Sequence, residues 1–197
     1  KLSWRPHVDT LCRRLSTGLY LIRRIKNTSD IDSAKIAYHA LFESHLRYGI
    51  AVWGGTTMGN LQRVLVQQKR AVRSLKGLEP RASCRKAFRE LKIMTVINLY
   101  ILEVVSYTHI KMPSTVRSGV QIHQYNTRQA TNYCLPVHTH ASTEKKPSYI
   151  GAKIWNSLPE ALKRIDRQLR KDLQAWLQDN PFYSVTEFFE WRPQNNP

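Results

Sequence analysis

Apolar residues in the first half of the chain recur at three- and four-residue intervals, the period of amphipathic helices. Val8, Leu11, Cys12, Leu15, Leu19 and Ile22 form one stripe and predict a helix over about residues 8–26. Gly18 falls on that apolar side, where a missing side chain lets another element come close. Arg13 and Arg24 lie within about 20° of each other opposite the stripe, with Arg14 and Arg23 flanking them. Asn27-Thr28-Ser29 breaks the helix, and Ser29 or Asp30 can cap the next. That second helix spans about 31–48, packs through Ile31, Ala34, Ala37, Tyr38, Leu41, Phe42 and Leu46, and ends at Tyr48-Gly49. The apolar stretch Ile50 to Gly55 fits a turn or one buried strand; we read it as a loop that packs Trp53.

A third helix is expected over about 60–76, capped by Asn60 and stopped by Gly77. Leu61, Val64, Leu65, Gln68, Val72 and Leu75 share its core face. Arg63, Lys69, Arg70, Arg73 and Lys76 cover the other side with no acidic residue among them, so the i,i+4 pairs of an ordinary solvated face are forgone. A short helix introduced by Ser83 follows at about 84–91, and another from Thr95 to about His109 through Val96, Leu99, Tyr100, Leu102, Val104 and Tyr107. Residues 111–147 show no period and contain Pro113, Gly119, Pro136 and Pro147. So long a connection implies a functional loop, a mobile segment or a domain junction. Helices over Gly151–Asn156 and about 160–178 (Leu162, Ile165, Leu169, Leu173, Trp176, Leu177) come next. An aromatic segment with Phe182, Tyr183, Val185, Phe188 and Phe189 closes the chain as a short docked helix. Trp53, Trp155 and Trp176 are assigned to packing. The expected architecture is mainly α, with a basic helical domain at 1–110, an irregular loop or junction at 111–147, and a C-terminal helical segment at 148–197 packing back on the core.

Charge changes the picture more than composition does. The 197 residues carry a net charge of +17, and the excess is concentrated: residues 1–100 hold 19 basic and 6 acidic side chains, residues 101–197 only 12 and 8. A polyanionic partner follows, most simply nucleic acid. No apolar run approaches the ~20 residues that cross a bilayer, and the first residues lack a signal-peptide pattern. Three scattered cysteines argue against a disulfide framework and fit a reducing compartment. The chain begins at Lys1 without an initiating Met, which fits either a fragment or a processed product.

Catalytic signatures are missing. No Asp-Asp pair is present, and the one Asp-x-Asp, Asp30-Ile31-Asp32, sits where a helix cap explains it. Gly54-Gly55-Thr56-Thr57 lacks the lysine of a phosphate-cradling loop. Cys134, His138 and His140, with His123 upstream, match no structural zinc spacing and read as a loop with scattered histidines.

Leu2-Ser3-Trp4-Arg5-Pro6-His7-Val8 resembles a segment just past the catalytic palm of reverse transcriptases of non-LTR retrotransposons, the jockey-like clade above all. The likeness continues through Ala37-Tyr38-His39-Ala40-Leu41-Phe42, Ser44 to Ile50, Trp53-Gly54, and Gln67 to Arg73. His123-x-Tyr125-Asn126-Thr127-Arg128 looks like that family's Tyr-Asn-Thr-Arg motif. Tyr149-x-Gly151-x-Lys153-x-x-Asn156-x-Leu158-Pro159 and Phe182 to Phe188 resemble its C-terminal signatures. Each motif is modest alone; their number and order span nearly the whole chain.

The resemblance implies a helical, thumb-like bundle and the C-terminal part of an RNA-directed DNA polymerase, gripping RNA, an RNA–DNA hybrid or DNA in the nucleus or between nucleus and cytoplasm. The family's endonuclease and the palm with its divalent-metal carboxylates are not in this sequence. No cofactor is therefore expected in this chain, no membrane partner, and no polymerase activity from it alone. Phosphate contacts are expected from Arg13, Arg14, Arg23 and Arg24 on the first helix and Lys69, Arg70, Arg73 and Lys76 on the third. Tyr125 and Arg128 are candidates for stacking on or pairing with RNA. Trp4 and His7 fit either the primer side or an N-terminal hydrophobic staple. The alternative is a domesticated interaction or scaffold protein that kept the fold without polymerase activity.

Overall fold

A computed structural model describes residues 3–111, 132–140, 143–163 and 168–191, and among them every regular element is a helix, so the fold is mainly α. Helix α1 (Arg5–Thr28) starts a turn before its apolar stripe because Pro6 occupies the first turn, where the missing N–H is not needed. Its buried side is Val8, Leu11, Leu15, Gly18, Leu19 and Ile22. Gly18 touches the next helix: a Cβ there would lie 2.7 Å from the Leu41 carbonyl oxygen.

Asp30 supplies the second cap, accepting from the Ser33 N–H at 2.7 Å. The helix it opens is α2 (Ile31–Tyr38), one π-turn (His39–Glu43) and α3 (Ser44–Arg47) in succession. The wider π-turn shifts the register, so Leu41 stays at the surface while Glu43 is drawn inside. Ile31, at the first position, is also exposed, which corrects its assignment to the core. Gly49, at φ 63°, ends this rod in the left-handed region. Ile50–Trp53 then forms a helical turn, α4, in place of the expected loop, and Trp53 is buried as expected.

Helix α5 (Met58–Lys76) is capped by Thr57, whose hydroxyl accepts from the Asn60 N–H at 3.4 Å; Asn60 itself is inside the helix. Gly77, at φ 64°, terminates it. Helix α6 (Arg85–Leu91) follows Cys84, and Ser83 provides no cap. Helix α7 (Val96–Ser106) is capped by Thr95 and runs into a second π-turn, Tyr107–Lys111, where Tyr107 is exposed rather than packed. Ten of the eleven α7 residues are buried, from Val96 to Ser106 with only Glu103 excepted, because the sequence is apolar on all sides. It is the hub against which α4, α5 and the C-terminal helices pack.

The described part of the irregular region, 132–140, is tied down by a reciprocal pair. Asn156 Nδ2 donates to the Tyr133 carbonyl and the Tyr133 N–H donates to Asn156 Oδ1, both at 2.8 Å. A 3-10 turn (Thr143–Lys145) leads to α8 (Pro147–Ser157), which begins a turn before Gly151. The single helix expected over 160–178 is instead a 3-10 turn (Glu160–Leu162) and α9 (Leu169–Asp179). Lys163 accounts for the break: its ammonium is turned inward and donates to Asn132 Oδ1, the Asn156 carbonyl and Glu160 Oε1. Ile165 lies outside the described residues. Helix α10 (Val185–Glu190) has a capping box, with Ser184 Oγ accepting from the Glu187 N–H and Glu187 accepting from the Tyr183 N–H.

Asn98 of α7 binds this end of the chain to the hub. Its amide donates to the Leu177 and Asn180 carbonyls, and its oxygen accepts from the Phe182 N–H. Trp155 is fully buried, and Trp176 packs at its edge against Phe182, Phe188 and Trp191. Among the described residues no single helix is long and apolar enough to cross a membrane.

Candidate nucleic-acid interface

α1 packs along α5 more extensively than any other pair of elements, and their first turns lie together. Arg63 of α5 reaches Asp9 of α1 at 2.6 Å, and Asp9, Cys12, Arg13, Ser16 and Arg63 line one shallow groove. The helices therefore run in the same direction. Taking Arg13 as reference, Asp9 and Ser16 lie about 40–60° to the α5 side, Arg23 about 80° to that side, and Arg24 about 20° the other way. Arg14 lies about 100° away on the opposite flank, where it lines a different cleft with His7 and His45. On α5, Arg70 stands two turns beyond Arg63 and within about 20° of it.

Arg13, Arg23, Arg24 and Arg70 thus sit along one crest formed by two parallel helices. All four are exposed, and none makes an ion pair with another described residue. Arg13 holds only the neighbouring Thr10 hydroxyl, at 3.1 Å. Tyr20, exposed on α1 within about 20° of Arg13, adds an aromatic surface that the charge pattern alone did not flag.

The other three basic residues of α5 are used by the fold. Lys69, Arg73 and Lys76 lie about 80–140° from Arg63, on the flank toward α6 and the C-terminal segment. Lys69 Nζ rests 3.7 Å from the centre of the Tyr183 ring, and the Arg85 guanidinium lies 4.2 Å from the same ring. Burial, reinforced by the charges of Arg73 and Arg85, holds the Lys69 ammonium below its ordinary pKa. Burial also pushes the Tyr183 phenol up to about 12. Arg73 donates to the Ala82 carbonyl at 3.0 Å, and Lys76 pairs with Glu90 at 2.6 Å. A positive face without acids of its own is explained here by partners that α6 and the loops supply from elsewhere in the sequence.

A second set of charges links three helices. Buried Glu43 accepts from His39 and Arg47 at 2.8 and 2.7 Å, Arg47 reaches Glu103 at 3.3 Å, and Glu103 binds Arg170 at 2.6 Å. Burial raises the Glu43 carboxyl pKa, but its hydrogen bond from His39 and the charge of Arg47 more than reverse this and leave it low. His7 packs between Trp4 and Trp53, with ring centres at 6.0 and 5.5 Å, so both residues belong to the packing of the first turn. His138 contacts the Pro136 carbonyl and Glu144. Among the described residues no three His, Cys, Asp or Glu side chains are grouped to hold a metal. His123, Tyr125 and Arg128 lie outside the described residues.

Compared with protein-family models, with curated proteins and with solved structures, the chain finds no match in any of the three.

Proposed function

We propose that this chain grips a nucleic-acid duplex through its phosphates, as the thumb-like C-terminal portion of an RNA-directed DNA polymerase of the non-LTR retrotransposon kind. The observation that carries the reading is the crest of Arg13, Arg23, Arg24 and Arg70, exposed and unpaired among the described residues of a chain with net charge +17. Arginines that lack internal acid partners keep their full charge for phosphate, and contacts to the backbone give affinity without base readout. An enzyme that moves along every sequence needs that kind of contact. The motif resemblance supports an RNA–DNA hybrid or structured RNA as the polyanion, and the nucleus as the compartment. Divalent metal and the polymerase carboxylates belong to the palm of such an enzyme, so the chain contributes grip and no chemical step.

Four phosphate contacts predict that log K falls against log salt with a slope of about −3.5. Titration with hybrid, double-stranded DNA and single-stranded RNA at several salt concentrations tests this. Changing Arg13, Arg24 and Arg70 together to Gln is expected to flatten the slope by about 3. A slope near zero, or one unchanged in the variant, would overturn the reading. Lys69, Arg73 and Lys76 are poor targets for such a test, since their replacement removes contacts that hold α6 and Tyr183. That internal use also favours the second reading, a domesticated interaction module, for which the triple variant would bind its partner unchanged.

A further inference from the structure

On the flank of α1 away from α5 lies a cleft of about 560 Å³ between the first turns of α1 and the α3 end of the second helix. Its lining includes His7, Thr10 and Arg14 from one wall and Ser44, His45 and Tyr48 from the other, with no carboxylate among the lining residues. We infer that this cleft takes an unpaired nucleotide at the end of a strand, its phosphate on Arg14 and His45 and its base on the Tyr48 ring. The inference rests on the nucleic-acid reading above but concerns a surface separate from the crest.

Three observations carry it. The volume is that of a small-ligand site. The polar lining is made of donors and hydroxyls around one fixed positive charge, which suits a phosphate and repels no anion. Tyr48 is 78% exposed, a large aromatic left in water beside that charge. Its backbone is nonetheless fixed, by Gly49 at φ 63° on one side and by the Trp53 indole N–H, which donates to the Tyr48 carbonyl at 2.8 Å. An exposed ring carried on a fixed backbone is the kind of platform on which unpaired bases stack, since every base has a π-face.

The test compares a blunt RNA–DNA hybrid with the same hybrid carrying a short single-stranded extension that contains 5-iodouracil. The extension is expected to tighten binding about tenfold. On irradiation the photoadduct is expected at Tyr48. Tyr48→Leu should abolish the gain while leaving the blunt hybrid's affinity unchanged, and Tyr48→Phe should retain it. If the extension gives no gain, if the adduct maps elsewhere, or if Tyr48→Leu keeps the gain, the inference falls while blunt-hybrid binding leaves the crest reading standing. If neither probe binds, both fall. A nucleoside monophosphate that, added before irradiation, prevents adduct formation at low concentration would assign the cleft to a free nucleotide and overturn the strand-end assignment.

Discussion

Gln68 is the most exacting polar residue of the core, and replacing it with Leu gives a sharp test of how the helices are joined. Its side chain is fully buried on α5. The amide nitrogen donates to the Tyr38 hydroxyl at 2.8 Å and to the Met94 carbonyl at 2.9 Å, and the amide oxygen accepts from the Val96 N–H at 2.7 Å. That N–H belongs to the first turn of α7, where no intrahelical carbonyl can reach it. Gln68→Leu keeps the volume nearly constant and strands a buried N–H and a buried carbonyl, each costing about 1–3 kcal/mol, and removes the donor to the Tyr38 hydroxyl, costing about 0.5–1 kcal/mol more. Added apolar burial returns about 1 kcal/mol, so the net loss is about 1.5–6 kcal/mol. With a urea m-value of about 2 kcal/mol/M, the midpoint should fall by about 0.8–3 M at unchanged m. Tyr38→Phe alone should cost about 1 kcal/mol, since Gln68 keeps its other two bonds. In the double variant the Tyr38 hydroxyl is no longer stranded, so the loss should be less than the sum by about 0.5–1 kcal/mol. A Gln68→Leu loss under about 0.5 kcal/mol, or strict additivity with Tyr38→Phe, would refute this account of the α5–α7 junction.

Two further outcomes are expected. A Cβ at Gly151 would lie 2.0 Å from Thr108 Oγ1 and 2.7 Å from the Val104 carbonyl oxygen. Gly151→Ala should therefore lower stability by about 1–3 kcal/mol despite its better helix propensity, whereas Gly59→Ala, with nothing within 4 Å, should be neutral or stabilising by thermal unfolding. Glu43 has a folded pKa below its ordinary 4.5, so it binds a proton less readily folded than unfolded. Its contribution is present above about pH 4.5 and is lost as pH falls through the lower folded value; Glu43→Gln should flatten that acid limb of a stability–pH curve, and an unchanged limb would exclude Glu43 as its source.

The division of basic residues into two groups bears directly on how the surface works. Arg13, Arg23, Arg24 and Arg70 are exposed and make no ion pair among the described residues, while Lys69, Arg73 and Lys76 act as ties between α5, α6 and the segment around Tyr183. Charge reversal of all the basic residues of α5 would confound binding with folding. Neutralising only the crest separates them.

The sequence alone determined the helices whose apolar spacing is long and regular, α1 and α5 above all, because local period and burial agree there. It also determined the stops at Gly49 and Gly77, the close approach at Gly18, and the burial of Trp53 and Trp155, and it narrowed the second cap to Ser29 or Asp30. Each is set by the residue's own conformational preferences or size. What the period could not show was decided by contacts between distant parts of the chain. The π-turn that buries Glu43 and exposes Leu41 is held by Arg47, itself anchored on Glu103, 56 residues further along the chain. Lys163, paired with Asn132 and Asn156, breaks what reads as one helix. The same holds for function. The sequence marked Arg13, Arg14, Arg23, Arg24, Lys69, Arg70, Arg73 and Lys76 by sign of charge. Only the tertiary structure separated those facing solvent from those facing Tyr183, Ala82 and Glu90, because a charge is free or spent according to what folds against it.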